Sequence, residues 1–197
     1  MTVVVPPYAA LVELIGSPVP GSRTRQLVSA VADALVAADA VLPTQHQVIE
    51  LATSVGITFT DTPIAVSCPV PDLFGTIAAA GLLIVGTPTY KGTYTGLLKL
   101  VLDHVDRGAL TGTVAVPVAI TASNRYVPSV AAALTALLVE MGATVPAPPL
   151  VQFQELDAAT AASAWTGTHA PTIATALAER TRGRHRAPAP AELHHTA

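Results

Sequence analysis

Two stretches of this chain concentrate the residue types that can do chemistry. The first reads Gly16-Ser17-Pro18-Val19-Pro20-Gly21-Ser22-Arg23-Thr24 and offers hydroxyls at Ser17, Ser22 and Thr24 and a guanidinium at Arg23. Glycine-flanked N–H groups, hydroxyls and a helix start are the donors from which an anion site is built. The same residues also suit a Gly/Pro turn closed by a Ser/Thr cap, and taken alone the loop leaves the two open. It has neither the Gly-Lys-Ser/Thr ending of a Walker loop nor the GxGxxG of a dinucleotide loop. The second stretch, Thr87-Pro88-Thr89-Tyr90-Lys91-Gly92-Thr93-Tyr94-Thr95, is polar and carries two aromatic rings and one lysine. A third, Thr121-Ala122-Ser123-Asn124, is a shorter polar loop. None of this is acid–base machinery. His46, His104 and His169 stand singly, without partner spacing, and read as structural. Cys68 is the sole cysteine, which excludes an intrachain disulfide, makes a cysteine-based metal site unexpected, and reads as an inert buried thiol.

The elements around these loops place them together. Ala9–Ile15 reads as a buried strand because it is almost continuously apolar, with Glu13 as an interruption that must be paired, protonated or at an edge. A helix follows Thr24, with Leu27, Val28, Val31 and Leu35 on one face. Gln47–Leu51 reads as a second strand, and Asp72–Ala80 as a short helix after an irregular, proline-bearing region at 52–71. Leu82–Val85 is the third strand, and Thr95 caps a helix with Leu98, Val101, Leu102 and Val105 on one face, ended by Gly108. Lys99 and Asp103, four apart, can pair on its outer side. Thr113–Thr121 is a fourth strand in which Pro117 demands an edge position or a local distortion. Pro128 opens a helix bearing Val130, Leu134, Leu137, Leu138 and Met141 and closed by Gly142; Thr144–Phe153 supplies a last strand despite three prolines. Asp157 can cap a final helix marked by Trp165 and Ile173 and kinked at Pro171.

Five strands alternating with helices predict an α/β fold with a parallel sheet covered on both faces. In such a sheet the loops at Ser17, Thr87 and Thr121 all follow strand ends and share one rim, where ligands sit. Residues 1–180 are expected to form one domain, and 181–197, rich in Arg, Pro, Ala and His, a disordered tail.

Composition narrows the function classes. Hydrophobic residues make up 51% of the 197 and charged residues 12%, against about 25% charged in an ordinary globular domain, which argues for large buried elements. A formal charge of −3 gives no sign of a nucleic-acid binder, and four of the ten basic residues, Arg180, Arg182, Arg184 and Arg186, sit near the C-terminal end. The start lacks the pattern of a signal peptide, and the longest apolar window, Ile77–Gly86, is shorter than the roughly 20 residues that span a bilayer. A soluble, cytoplasmic protein is expected, and the apolar composition points to a homo-oligomer.

Together these motifs resemble the NADPH-dependent FMN reductase family, especially reductases of the sulfonate-utilisation type. The segment Thr87-Pro88-Thr89-Tyr90-Lys91-Gly92-Thr93-Tyr94-Thr95-Gly96-Leu97-Leu98-Lys99, followed by Leu102-Asp103, is similar to the family signature Thr-Pro-x-Tyr-Lys-x-Ser-Tyr/Phe-Ser-Gly-x-Leu-Lys…Leu-Asp. Gly16-Ser17-Pro18 leading to Ser22-Arg23-Thr24 resembles its phosphate loop, and Thr121–Asn124 the loop after its fourth strand. The resemblance implies a flavodoxin-like doubly wound sheet in the order 2-1-3-4-5. It implies hydride transfer from NADPH or NADH to FMN, reduced flavin passing to a separate monooxygenase, and a dimer or tetramer. Ser17, Ser22, Arg23 and Thr24 would then face the FMN phosphate. Thr87, Pro88, Thr89, Tyr90, Lys91, Gly92 and Tyr94 would face its ring, with Thr121, Ser123 and Asn124 beside them. Backbone groups from Thr89 to Gly92 would bond the pyrimidine edge, with Tyr90 or Tyr94 packing the ring. Lys91 could meet a cofactor phosphate or the charge of the reduced flavin, or lie in solvent. The family often has arginine where Val19 stands, so either Arg23 or Arg25 supplies that charge or the affinity for FMN is weaker. An FMN-bound quinone or azo-compound reductase, or a non-catalytic flavin carrier, would share this fold.

Overall fold

The computed structural model describes residues 8–58, 65–67, 72–153, 155 and 157–186. Cys68, Pro63, Pro69, Pro71 and the segment 187–197 lie outside them. The chain runs β1 (Tyr8–Ile15), α1 (Arg23–Ala37), β2 (Leu42–Glu50), α2 (Leu51–Ser54), β3 (Gly56–Thr58), β4 (Ala65–Ser67), α3 (Leu73–Ala79) and β5 (Leu82–Pro88). It continues through α4 (Gly96–Leu102), β6 (Val114–Thr121), α5 (Val127–Glu140), β7 (Leu150–Phe153) and α6 (Ala158–Arg186). Five strands form one parallel sheet in the order β2-β1-β5-β6-β7, which is 2-1-3-4-5 when the strands of this sheet alone are numbered.

Alternation along the central strands divides the core between two layers. Leu11, Ile15, Leu82, Ile84, Val116 and Val118 face α1 and α6; Val12, Leu14, Leu83, Val85 and Ala115 face the α3, α4 and α5 side. α1 forms because Leu27, Val28, Val31, Ala32 and Leu35 recur on one face, all fully buried. Each such Leu or Val contributes about 1.5–3 kcal/mol. Asp157 does cap α6: its carboxylate accepts the N–H of Thr160, and that bond holds its pKa below the ordinary aspartate value. No helix among the described residues is long and apolar enough to cross a membrane.

Several boundaries differ from the sequence expectation, each for a physical reason. β2 starts at Leu42, five residues before Gln47. It is an edge strand whose residues 44–48 are exposed, so it carries no apolar pattern to read. The irregular region contains α2 and a small antiparallel β3–β4 pair that went unpredicted. α4 stops at Leu102, before Gly108, with Asp103 as its C-cap; Lys99 and Asp103 do pair there. Residues 144–149 do not form strand apart from a single bridge from Thr144 to Val114. That gap accommodates Pro117: Ala115 N–H bonds Thr144 O, so the nitrogen of Pro117, two residues on, faces the same side. There β7 begins pairing only at Val118. The sheet is locally open where proline has no N–H to give. α6 continues to Arg186, six residues into the segment expected to be disordered.

Candidate functional site

The rim at the C-terminal ends of β1, β5 and β6 gathers all three polar loops. Gly16 N–H donates to Gly86 O at 2.7 Å, tying the end of β1 to that of β5. Thr95 Oγ1 donates to Gly16 O at 2.6 Å, and Thr89 N–H donates to Ile120 O at 2.8 Å, so that the three loops form one surface. Gly86 is needed here: a Cβ on it would lie 2.2 Å from Val28 Cγ2, and α1 could not start so close to the sheet.

In the first loop Ser17 is buried, and its Oγ accepts Val19 N–H at 3.1 Å, which closes a local turn. Ser22 is the N-cap of α1 and accepts Arg25 N–H at 3.3 Å. Thr24 is buried with its methyl against Gly86. Among the described residues, the backbone N–H groups of Ser22, Arg23 and Thr24 have no acceptor, and they point out of the positive end of a 15-residue helix. The two arginines separate. Arg25 is engaged: its Nε donates to Glu50 Oε1 at 3.2 Å, its Nη1 donates to Ser29 Oγ, and it stands 3.9 Å from Glu13 Oε2. Arg23 lines a cleft of about 380 Å³ with Gln26, Gln152, Phe153, Glu155 and Asp157. Of the two charges that sequence reasoning offered to an anion, Arg23 is the one left uncommitted among the described residues.

The second loop is a tight hairpin. Tyr90 N–H donates to Thr93 O at 2.9 Å and Thr93 N–H to Tyr90 O at 3.2 Å, with Lys91 (φ 53°) and Gly92 (φ 87°) as its two central residues. Both positive φ values are what a type I′ turn requires. Thr87 is buried and works inside the loop, its Oγ1 accepting Thr95 N–H at 3.1 Å and donating to Pro88 O. Thr95 caps α4 by accepting Leu98 N–H. Thr89 Oγ1 is buried without a hydrogen-bond partner among the described residues, an unmet group on a ligand rim. The tyrosines part company: Tyr90 is exposed on the rim, whereas Tyr94 packs on the core and lines a groove between α4 and α5.

The third loop contributes in a way the sequence only partly showed. Thr121 is buried and its Oγ1 accepts Ser123 N–H, an internal turn. Asn124 starts a 3₁₀ turn, Asn124–Tyr126, and is exposed. The residues that reach the hairpin are Tyr126, whose ring would meet a Cβ on Gly92 at 3.3 Å, and Ser129, whose Oγ donates to Gly92 O at 2.7 Å. Arg125 stands over the Tyr126 ring at 4.9 Å. Their signal was present as an Arg-Tyr pair inside a polar loop, but nothing in one sequence says that they fold over Gly92.

The three histidines each have a neighbour, and His46, which the spacing left without a partner, has a carboxylate. His104 bonds Leu100 O and stacks on Phe74, His169 lies against Trp165, and His46 meets Glu13. Glu13 is therefore paired. The described residues contain no cluster of three or more potential metal ligands.

The sequence profile of NADPH-dependent FMN reductase matches residues 10–156. The chain belongs to that family. Its match to the NADH-dependent FMN reductase SfnF of Pseudomonas putida is 44% identical over 50 residues, which span 25% of this chain and 27% of that protein. Two solved structures share the fold. One is the apo form of an NADH:FMN oxidoreductase, EmoB, at 24% identity and TM-score 0.63, covering 89% of each chain. The other is a flavodoxin, WrbA-like protein from Agrobacterium tumefaciens at 17% identity and TM-score 0.61, covering 88% of this chain and 99% of that one. The expected flavodoxin-like architecture is the one observed.

Proposed function

We propose that this chain is an NAD(P)H-dependent FMN reductase that supplies reduced flavin to a separate monooxygenase. The observation that carries the reading is the Thr95 Oγ1–Gly16 O bond, which fixes a donor-rich helix start beside a hairpin with an unmet hydroxyl. Family membership supplies the name of the ligand. FMN has a phosphate and a flat ring, and the site has a matching division. Unclaimed N–H groups of Ser22, Arg23 and Thr24, with the Ser22 hydroxyl and Arg23, suit the phosphate. The backbone N–H groups of Thr89 and Tyr90 are taken up inside the loops, so Thr89 Oγ1 and the N–H groups of Lys91 and Gly92 at the hairpin tip are what suit the polar edge of the ring, with Tyr90 and Tyr126 as flat neighbours. Ser17, Thr87 and Thr121 act behind this surface by holding the loops in shape.

When bound, the flavin accepts hydride from the nicotinamide, and that chemistry belongs to the cofactor. The residues here bind and orient. The start of α4 directs its positive end toward the rim and favours negative charge there.

The test is direct. Oxidation of NADH or NADPH that depends on added FMN supports the reductase; turnover on quinone or azo dye alone favours the alternative within this fold, and no flavin affinity would sink both. Ser22→Asp keeps a good N-cap but adds a charge at the phosphate end, so FMN affinity falls while the melting temperature holds. Unchanged affinity would remove the phosphate from this loop.

A further inference from the structure

The loop at the proposed phosphate end is already in contact with an anion belonging to the protein. Glu50 closes β2, and its Oε2 accepts the N–H of Gly21 at 2.8 Å, one residue before the Ser22 cap, while its Oε1 accepts Arg25 Nε at 3.2 Å. Behind it lies Glu13, 1% exposed in the middle of β1. Glu13 accepts the hydroxyl of Ser29 at 2.5 Å and meets His46 Nε2 at 2.6 Å, with Arg25 Nη1 3.9 Å away. The cluster joins β1, α1 and β2 and contains two carboxylates against one guanidinium. The carboxylate nearest the loop, that of Glu50, is the one bonded to it.

A neutral glutamine would satisfy the Gly21 N–H equally well; the chain places a charge there. Resting on the phosphate reading of the loop, we propose that Glu50 is a specificity-determining residue that sets how tightly the flavin phosphate is held. Its carboxylate takes up one loop donor and stands as a like charge beside the incoming anion. Arg25 pairs with it through Nε and also reaches Ser29 and, at 3.9 Å, Glu13, so its one charge is shared between two carboxylates and is not presented to the loop. The result is a phosphate end with donors and a built-in opposing charge, suited to a flavin that exchanges in and out instead of a permanently held group.

The experiment is a fluorescence titration of FMN and of riboflavin, which has the same ring and no phosphate, into flavin-free full-length protein. Wild type, Glu50→Gln, Glu50→Met and Ser22→Asp are compared, each checked by circular dichroism. Removing one like charge at the loop tightens FMN about three- to tenfold in Glu50→Gln, at effective dielectrics between those of water and a protein surface. Riboflavin affinity stays level, and the gain shrinks as salt is added. Glu50→Met, lacking both charge and acceptor, moves FMN in the same direction, so loss of fold in one variant leaves the other informative. FMN binding that is unchanged or weaker in Glu50→Gln, with Ser22→Asp weakened as expected, overturns the proposal and leaves the phosphate site standing: Glu50 then only holds the turn. Equal wild-type affinity for FMN and riboflavin, with Ser22→Asp without effect, overturns the phosphate site itself, and the proposal falls with it.

Discussion

The loop after β1 and the loop after β5 both leave a buried strand of the same sheet, and both end on a hydroxyl that caps the next helix, Ser22 in one and Thr95 in the other. Beyond that they are built differently. Ser22 is half-buried, bonds only the Arg25 N–H, and feeds a 15-residue helix whose apolar face is sunk in the core. Thr95 is 2% exposed, donates to Gly16 O, accepts Leu98 N–H, receives support from Thr87, and feeds a helix of seven residues. A long, well-anchored helix holds the first loop in place from below; its Gly16, Val19 and Gly21 N–H groups are taken up within the protein, and those of Ser22, Arg23 and Thr24 at the helix start are left over. The short α4 gives less anchorage, and the second loop uses its own hydroxyls for bracing. What it keeps for a ligand is backbone, one unmet hydroxyl and aromatic surface. The proposed division between a phosphate end and a ring end matches how each loop obtains its rigidity.

Replacing the two caps tests this directly. Thr95→Val keeps the shape of the side chain but loses the cap and leaves Gly16 O buried without its partner. A destabilisation of about 2–3 kcal/mol is expected, larger than for any other single change in the two loops. Because that bond joins the two loops, affinity for both FMN and riboflavin falls. Ser22→Ala removes a part-exposed cap and nothing else structural, for a loss of about 1 kcal/mol. Its effect on flavin is selective: FMN weakens several-fold while riboflavin is unmoved. Denaturant melts and the two titrations check both variants. Equal stability losses would mean that the two loops are braced alike, and the comparison would fail.

The difference between these loops also marks what could be read from the sequence. The apolar strands β1, β5 and β6 were legible because each is buried on both faces and shows a continuous run. So were the caps at Thr95 and Asp157, because a capping residue acts on its own neighbourhood, whereas in the first loop a Ser/Thr cap was only one of two readings. β2 was only half legible, since an edge strand exposed on both sides has no pattern to enforce. Among site residues, the loops were found but the roles within them were not. Ser17 and Thr121 spend their hydroxyls on turns two residues on, one of two uses such residues have, while the bond from Thr95 N–H to Thr87, the placing of Tyr94 in the α4–α5 groove and the closing of Tyr126 and Ser129 over Gly92 depend on the fold. The pairing of Glu13 and the engagement of Arg25 with Glu50 likewise join residues 25 to 33 positions apart or across neighbouring elements, beyond any local rule.

The smallest effect concerns Lys91, the one place where the second loop departs from its best local sequence. Positive φ at a lysine carries a steric cost, and the first central position of a type I′ turn favours Asn, as in Asn-Gly. Lys91→Asn is therefore expected to stabilise the protein by about 0.5–1 kcal/mol, since asparagine tolerates this conformation and Gly92 already supplies the second position. A stabilising change so readily available points to a use for the lysine. Its side chain is exposed on the loop proposed to hold the ring, where an ammonium could meet a phosphate of the nicotinamide dinucleotide. The variant should melt higher and show a KM for NADPH raised about two- to fivefold, the size of one solvent-screened charge pair, with kcat nearly unchanged. A higher melting temperature with an unaltered KM would strip Lys91 of any binding role and leave the second loop as a holder of rings alone, which is the sharpest form of its contrast with the first.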